Sequence, residues 1–484
     1  MKPAPDPSKA LYLCLDQGGH ATRAIVFNGE GEPVAETFQN IRTQHPQADR
    51  IEHDANELLT SFKQILHDIC AQLGDRKQAL VAAGLATQRS NIVCWHKETG
   101  EALTPVLSWQ DRRAHAWLKP FHDKAEDIHK TTGLFLSPHY GASKLKWCLE
   151  HIPAVQQALA EGQLCLGPMA SFLIYHLTRE HAFVTDVVNA SRTQLWSLHT
   201  NNWDPALLKL FAIEEGLLPE CKPTVFTFGH LQLDGIDIPL ELVTGDQSAA
   251  MFAYGKIQPD TAYINTGTGA FISRPSGPLK IYGRRLLTSV INQDEETTQY
   301  VLEGTVNGAG SALLWLAEEH HIEDVEQHLP GWLDEVKNPP LFFNGISGLA
   351  SPFWIADFPC AFSRNASNAE KAVAVIESIV FLLCANAAEM KKLSSPPEQI
   401  QITGGLAVLD GMCQRLADLT GLPIYRPKEC EATARGTAYI LCGQPNHWPE
   451  TRPGVWFKPA NNPALLQRYD TWMSHMLDTM RQSA

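Results

Sequence analysis

Residues 11–27 read LYLCLDQGGHATRAIVF, an apolar run, a polar bend and a second apolar run. Leu11 to Leu15 suits a buried strand, Asp16-Gln17-Gly18-Gly19-His20 supplies turn chemistry, and Arg23 to Phe27 returns to strand composition. The stretch predicts a β-hairpin with an acid at its bend. An Asp at the end of a buried strand can hold a hard divalent cation, and two successive glycines let backbone N–H groups approach an anion without Cβ interference. Together these properties suit a magnesium-bound nucleotide phosphate. An ordinary Gly-Gly hairpin with a solvated Asp fits the same residues.

The plan recurs downstream. A short strand, Glu241 to Val243, ends in Thr244-Gly245-Asp246-Gln247, a second acid at a strand end, and Ser248 to Gly255 is compatible with a helix. Thr261 to Ile264, the bend Asn265-Thr266-Gly267-Thr268-Gly269 and Ala270 to Ser273 then repeat strand, glycine-rich bend and strand. Two such hairpins, one per half and facing each other across a cleft, would clamp a nucleotide from both sides; two unrelated hairpins are the plainer alternative. Gly308-Ala309-Gly310 opens a helical segment, Ser311 to His320. Thr403-Gly404-Gly405 follows the strand Gln399 to Ile402 and leads into a helix near Asp410 to Leu419. Free N–H groups at a helix start favour anions, although close packing of helix on strand asks for the same glycines. No G-x-x-x-x-G-K-[ST] occurs and no G-x-G-x-x-G follows a strand, so neither a P-loop nor a Rossmann fingerprint is present.

Between the two acids, Asn56 to Leu73 has its apolar residues at helical spacing, and Leu80 to Ala86 reads as a buried strand. Thr87-Gln88-Arg89-Ser90 follows at the carboxyl end, where open α/β sheets place ligands, so Arg89 is a site candidate beside the simpler reading of a surface ion pair. Asn91 to Trp95 and Ala102 to Ser108 predict a hairpin about Lys97-Glu98-Thr99-Gly100, running into Trp109-Gln110-Asp111-Arg112-Arg113. An aromatic ring among hydrogen-bonding groups can line a polyol pocket, since a sugar offers C–H faces as well as hydroxyls; a core Trp is the commoner outcome. Thr132 to Trp147 and Met169 to Thr178 read as mostly helical, with Lys144-Leu145-Lys146-Trp147 exposing charge on one side.

With 484 residues the chain exceeds one core, and two closely packed domains of roughly 200 residues or more are expected. Lys plus Arg number 39 against 53 Asp plus Glu, a formal charge of -14 with no basic run, which argues against a nucleic-acid partner. MKPAPDPSKA lacks the apolar core of a signal peptide, and the most apolar later run, Ala372 to Ala388, is broken by Glu377 and Asn386 and reads as too short to span a membrane. These features predict a cytoplasmic protein with no membrane partner. The eleven cysteines form no C-x-x-C pair and read as reduced core residues.

Taken in order, LDQGGHATRAIVF, TQRSNIVCWHKETGEALTPVLSWQDRR, TDVVNASRTQLW, TGDQSAAMFAYG, NTGTGAFIS, ITGGLAVLDGMCQRLADLTGLPI and EATARGTAYI resemble the FGGY carbohydrate kinases, nearest in motifs to the glycerol kinase branch, from about Leu11 to Met476. The resemblance implies an α/β fold of two ribonuclease-H-like, actin-like ATPase domains, residues 1–253 and 254–484, with a nucleotide and sugar cleft between them. It implies ATP-dependent phosphorylation of a hydroxyl of a small polyol or ketose, with Mg2+, and leaves room for a homo-oligomer. Asp246 corresponds to the general base, and Asp16, with Asp246, to the acids near Mg2+. Arg89, Ser90, Trp109, His139 and Phe271 correspond to acceptor-binding positions. Gly18, Gly19, His20, Gly267, Thr268 and Gly310 correspond to phosphate contacts, and Gly405 and Leu409 to positions beside adenine.

Departures from the branch are specific. Gly19 and His20 stand where glycerol kinases carry two Thr, Ser90 where they carry Glu, His139 where they carry a substrate-binding Tyr, and Leu409 where Asn is expected. His139 and Gly141 also break the family's first signature. Two other readings use the same fold: an ATPase that drives motion, and a non-catalytic nucleotide- or sugar-binding protein. The set Arg89, Trp109 and Asp246 separates the kinase from the first, and the altered first phosphate loop favours the second.

Overall fold

The computed structural model describes residues 10–355, 357–428, 431–449 and 453–483, so the opening residues 1–9 lie outside it. The chain forms two compact units. One comprises Met1–Ile257, Ser289–Tyr300 and Glu431–Thr451; the other comprises Gln258–Thr288, Val301–Cys430 and Arg452–Ala484.

In the first unit the hairpin at 11–27 is present. Strand β1 (Leu11–Gln17) pairs antiparallel with β2 (Ala21–Asn28), with Asp16 opposite Arg23. Leu13, Cys14 and Leu15 are all fully buried, as a central strand covered on both faces requires, and this is why the run is continuously apolar. β3 (Pro33–Asn40) pairs antiparallel with β2, and β4 (Leu80–Thr87) runs parallel to β1. β5 (His230–Leu233) forms a hairpin with β6 (Ile236–Gly245), which runs parallel to β4. The sheet order is β5-β6-β4-β1-β2-β3. Gln17 and Gly245 both lie in register with Thr87, so three parallel strands end at one level. The residues that follow them emerge on the same edge.

Helix α1 (Ala55–Leu73) starts where Asp54 accepts from the N–H groups of Asn56 and Glu57 at 2.8 and 3.0 Å, and it buries Leu58, Phe62, Ile65, Ile69 and Leu73. The hairpin expected about Lys97-Glu98-Thr99-Gly100 is present but irregular: Ala102 bridges Trp95, the Leu103 N–H donates to Cys94 O at 2.9 Å and Leu107 pairs antiparallel with Ile92, while Ile92–His96 also pairs along its length with Leu164–Pro168. Thr104 Oγ1 takes the Cys94 N–H at 3.0 Å, a bond that a regular hairpin would have given to a backbone carbonyl. The segment 132–147, expected to be mostly helical, is interrupted. One helix, Ala125–Thr132, stops at Gly133 with φ of 73°, and α2 (Gly141–His151) begins after a loop containing Pro138. Lys144 in α2 is fully buried, against the expectation of an exposed charge. Helix α3 (Asp246–Ala250) follows β6 directly.

The second unit repeats the plan. β7 (Thr261–Thr266) and β8 (Ala270–Gly277) form an antiparallel hairpin. β9 (Leu287–Gln293) and β10 (Thr298–Val306), whose stretch Ser289–Tyr300 is grouped with the first unit, together with β11 (Gln399–Thr403), β12 (Ile424–Arg426) and β13 (Val455–Phe457), complete a sheet of order β9-β10-β8-β7-β11-β12-β13. Here β11 runs parallel to β7, as β4 does to β1. Helices α4 (Gly310–Glu319), α5 (Asn368–Met390) and α6 (Asp410–Thr420) accompany this sheet. α5 has 23 residues, and an 18-residue window within it has a mean hydropathy of 1.8, long and apolar enough to cross a membrane, so it is not too short as its sequence suggested; 83% of that window is buried within the fold. Its Glu377 is held by Arg468 at 2.7 Å and Arg415 at 3.3 Å, the pairing a buried carboxylate needs. The ten described cysteines are free, and seven are buried; Cys360 is exposed, outside the expected core placement.

Candidate active site

Asp16 and Asp246 both stand at sheet ends of the first unit. Asp16 is 6% exposed, its Oδ2 lies 3.7 Å from Arg23 Nη1, and its Oδ1 has no hydrogen-bond partner among the described residues. Burial raises its pKa to about 7; Arg23 opposes that rise, while Asp246 and Glu431 add to it. An acceptor-only oxygen left bare in a buried site suits a hard divalent cation, which would supply the missing positive charge. The donor set therefore fits Mg2+.

Asp246 is partly buried at the start of α3, and its Oδ1 accepts from the Gln247 N–H at 2.7 Å. Its backbone carbonyl accepts from Thr433 Oγ1 at 3.3 Å, on the helix Ala432–Leu441. That helix packs close because of Gly436: a Cβ there would stand 1.8 Å from Ala249 O. The helix is anchored by Arg435, 2% exposed, which donates to the carbonyls of Ala253 and Pro449 and lies 5.0 Å over the Trp448 ring. Thus the EATARGTAYI stretch serves the placement of Asp246.

Arg89 is 6% exposed and donates to Gln247 Oε1. Gly245 makes room for it, since a Cβ would stand 2.5 Å from Arg89 Cγ. Ser90 occupies a positive φ of 66°, and its hydroxyl donates to Arg192 O at 3.3 Å. Trp109 is fixed through its backbone: its N–H donates to Asn91 Oδ1 at 2.7 Å, and its carbonyl accepts from His139 Nδ1 at 3.0 Å. Because a carbonyl only accepts, His139 carries its proton on Nδ1 in this arrangement, which leaves Nε2 as the acceptor nitrogen of a neutral ring. Burial lowers the His139 pKa to about 4; the bond to Trp109 O raises it and Lys144 lowers it further. The two rings tilt at 46° with centroids 6.3 Å apart.

Several residues without an assigned role hold this arrangement. Asp186, fully buried, caps Val187–Ser191 and accepts from Asn189 Nδ2 at 2.7 Å; Asn189 also receives the Thr87 hydroxyl at 3.3 Å and donates to Thr244 O at 3.4 Å. The ends of β4 and β6 are thereby tied together. TDVVNASRTQLW contains this device, and its Asp followed by a polar residue three positions on is a legible cap signal.

The bend after β1 is tightened by Gly18 N–H donating to Ala21 O at 3.0 Å and by Gln17 Nε2 donating to Gly18 O at 2.6 Å. Thr43 Oγ1 donates to Gly19 O at 3.1 Å, and His20 is exposed. A Cβ on Gly19 would come within 3.0 Å of Gln88 Nε2.

In the second unit the bend after β7 meets the start of α4. Gly310 N–H donates to Gly267 O at 3.0 Å, and Ala309 and Ser311 N–H groups both donate to Thr268 O at 3.1 Å. A Cβ on Gly310 would stand 2.8 Å from Gly267 O. Gly404 has φ of 95° and abuts Thr266, while Gly405 is exposed with open space around it. Phe271 is 9% exposed on β8, and Leu409 is 5% exposed in the unit's core at the start of α6. The first unit thus holds Asp16, Gly18, Gly19, His20, Arg89, Ser90, Trp109, His139 and Asp246, and the second holds Gly267, Thr268, Phe271, Gly310, Gly405 and Leu409.

Known proteins match along almost the whole chain. Residues 11–253 match the N-terminal domain, and residues 262–443 the C-terminal domain, of the FGGY family of carbohydrate kinases. A glycerol kinase of Geobacter sp. (strain M21) is 32% identical over 439 residues, 88% of this chain and 89% of that protein. One from Shewanella frigidimarina is 33% identical over 442 residues, 89% of each chain. Among solved structures, a Plasmodium falciparum glycerol kinase with ADP superposes with a TM-score of 0.84 at 23% identity, covering 97% of this chain and 98% of that one. A ligand-bound xylulose kinase from Lactobacillus acidophilus gives 0.81 at 20% identity, covering 98% of both chains. With both halves matched in order, the chain belongs to the FGGY family of carbohydrate kinases and phosphorylates a hydroxyl of a polyol or sugar with ATP as donor.

Proposed function

We propose that this kinase acts on an acceptor longer than glycerol, a tetritol, pentitol or pentulose, with Asp246 as general base. The reading rests chiefly on the common level at which β1, β4 and β6 end, because that register brings Asp16, Arg89 and Asp246 to one edge of one sheet. Phosphoryl transfer through a loose transition state asks the protein mainly for alignment and charge stabilisation. Asp246 would accept the proton of the attacking hydroxyl, with Arg89, Ser90, Trp109, His139 and Phe271 orienting the acceptor. Asp16, with Asp246, would hold Mg2+, which when bound neutralises phosphate charge. Gly18, Gly19, His20, Gly267, Thr268 and Gly310 would present backbone to the phosphates, with Gly405 and Leu409 beside the base.

Residues 1–253 would serve as the acceptor and catalytic domain and 254–484 as the nucleotide domain. Free thiols at ten cysteines support a cytoplasmic setting.

Glycerol, the substrate named for the relatives above, is expected to be poor. A buried donor or acceptor left without its partner costs about 1–3 kcal/mol. Ser90 is shorter than Glu, its hydroxyl is turned to Arg192 O, and His139 Nε2 offers an acceptor where a phenol would also donate. ADP release measured against glycerol, erythritol, pentitols, ribulose and xylulose tests this. Turnover should be highest on a member with four or five carbons, and glycerol as the best substrate would contradict it.

A further inference from the structure

We propose that Lys144 is a positioning residue for the acceptor side of the site, its ammonium group setting the relative placement of the segments that carry Ser90, Trp109 and His139. The inference rests on the proposed acceptor role of those three residues.

Lys144 is fully buried in the first turn of α2. Both facts disfavour a cation: burial removes its hydration, and a helix start already carries partial positive charge. Burial pulls its pKa down to about 7, partly offset by Asp111. Asp111 does not accept a hydrogen bond from it; that carboxylate is engaged by Arg113 at 2.7 Å and by the Ile51 N–H at 2.8 Å. Lys144 Nζ instead donates to three backbone carbonyls, Ser90 O at 2.9 Å, Ser108 O at 2.8 Å and His139 O at 3.0 Å.

An ammonium group has three N–H donors and no acceptor, so these bonds use its whole capacity. The carbonyls come from three segments, two of them tied by the Ile92–Leu107 pair and the third, at His139, outside that pairing, and each belongs to, or directly precedes, a proposed acceptor residue. Trp109, next to Ser108, is further fixed by Asn91 and His139. Filling the same volume with an apolar side chain would avoid desolvating a charge, but it would take one donor from each of the three carbonyls, of which Ser108 O keeps the Asp111 N–H at 3.1 Å, and would remove the link that the ammonium makes among the three segments. A displacement of about 1 Å in such a site is worth up to about 100-fold in rate.

The test uses the full chain and its best acceptor. Lys144→Met removes all three donors. Lys144→Arg keeps the charge but spreads its N–H groups in a plane that cannot converge on three carbonyls as a point charge does. In each variant that melts cooperatively, KM for the acceptor should rise about tenfold or more, KM for ATP should stay within about twofold, and Arg should restore only part of the loss. Where Lys144→Met does not accumulate folded, Lys144→Arg decides. An unchanged acceptor KM in a folded variant, or acceptor and ATP KM rising together, would overturn the inference. Trp109→Ala and His139→Ala run in the same assay: if these leave acceptor KM unchanged, the acceptor-site reading itself fails. If they raise it while the Lys144 variants do not, only the Lys144 inference fails.

Discussion

At Asp16, burial and the Arg23 guanidinium act in opposite directions, and burial, helped by the Asp246 and Glu431 carboxylates, wins. Its pKa rises from 3.8 to about 7 despite Arg23 at 3.7 Å. Between about pH 4 and pH 7 the native protein holds a proton that the unfolded chain has released, so this group's contribution to stability falls as pH rises through that window. A cation binds the carboxylate and must displace that proton. Calorimetric Mg2+ titration should therefore show affinity weakening by up to about tenfold per pH unit below about pH 7 and levelling above it. Asp16→Asn should abolish the dependence; a flat profile in the parent would remove Asp16 from the metal site. Asp246→Asn keeps the shape of the side chain but cannot accept a proton, and general-base catalysis is worth about 10² to 10⁴ in rate. Turnover should fall by that factor with little change in melting temperature, and near-normal kcat would refute the assignment.

Two bends depend on the absence of a single methyl group. Gly245→Ala would drive a Cβ into Arg89 Cγ, 2.5 Å away, at the junction of β6 and α3. Overpacking of this kind costs about 1–3 kcal/mol, and the displaced Arg89 should raise acceptor KM more than ATP KM. Gly310→Ala presses on a main-chain oxygen, Gly267 O at 2.8 Å, which cannot rotate away. It should shift the bend after β7 and raise ATP KM while acceptor KM holds; the reverse pattern in steady-state kinetics would exchange the roles of the two bends. Both hairpins were legible because an apolar run, a glycine-rich bend and another apolar run are local signals. The helical expectation over 132–147 failed at Gly133 and Pro138, where turn chemistry overrode apolar spacing. Lys144 was misplaced for a related reason: it falls four residues before the buried Cys148 on the inward face of α2, and a charge on that face is legible only when its carbonyl partners are known.

Over the whole chain, the candidate acids and glycines could be found from sequence because each follows an apolar strand. Their common level could not, since β1, β4 and β6 are far apart in sequence and only pairing reveals that Gln17, Thr87 and Gly245 share a register. The return of Ala432–Leu441 to the first unit was equally hidden, because a close helix crossing at Gly436 leaves no periodic trace. The central claim is that Ser90 and His139 turn a glycerol kinase framework toward a longer acceptor. Its most direct test is kcat/KM for glycerol relative to the best four- or five-carbon acceptor, in the parent and in the Ser90→Glu, His139→Tyr double variant. Hydroxyl-pairing sites discriminate by up to about 10⁴ to 10⁵. The ratio should be well below one in the parent and rise by at least about tenfold in the double variant; glycerol as the parent's best acceptor, or a ratio left unmoved by the two substitutions, would contradict the account.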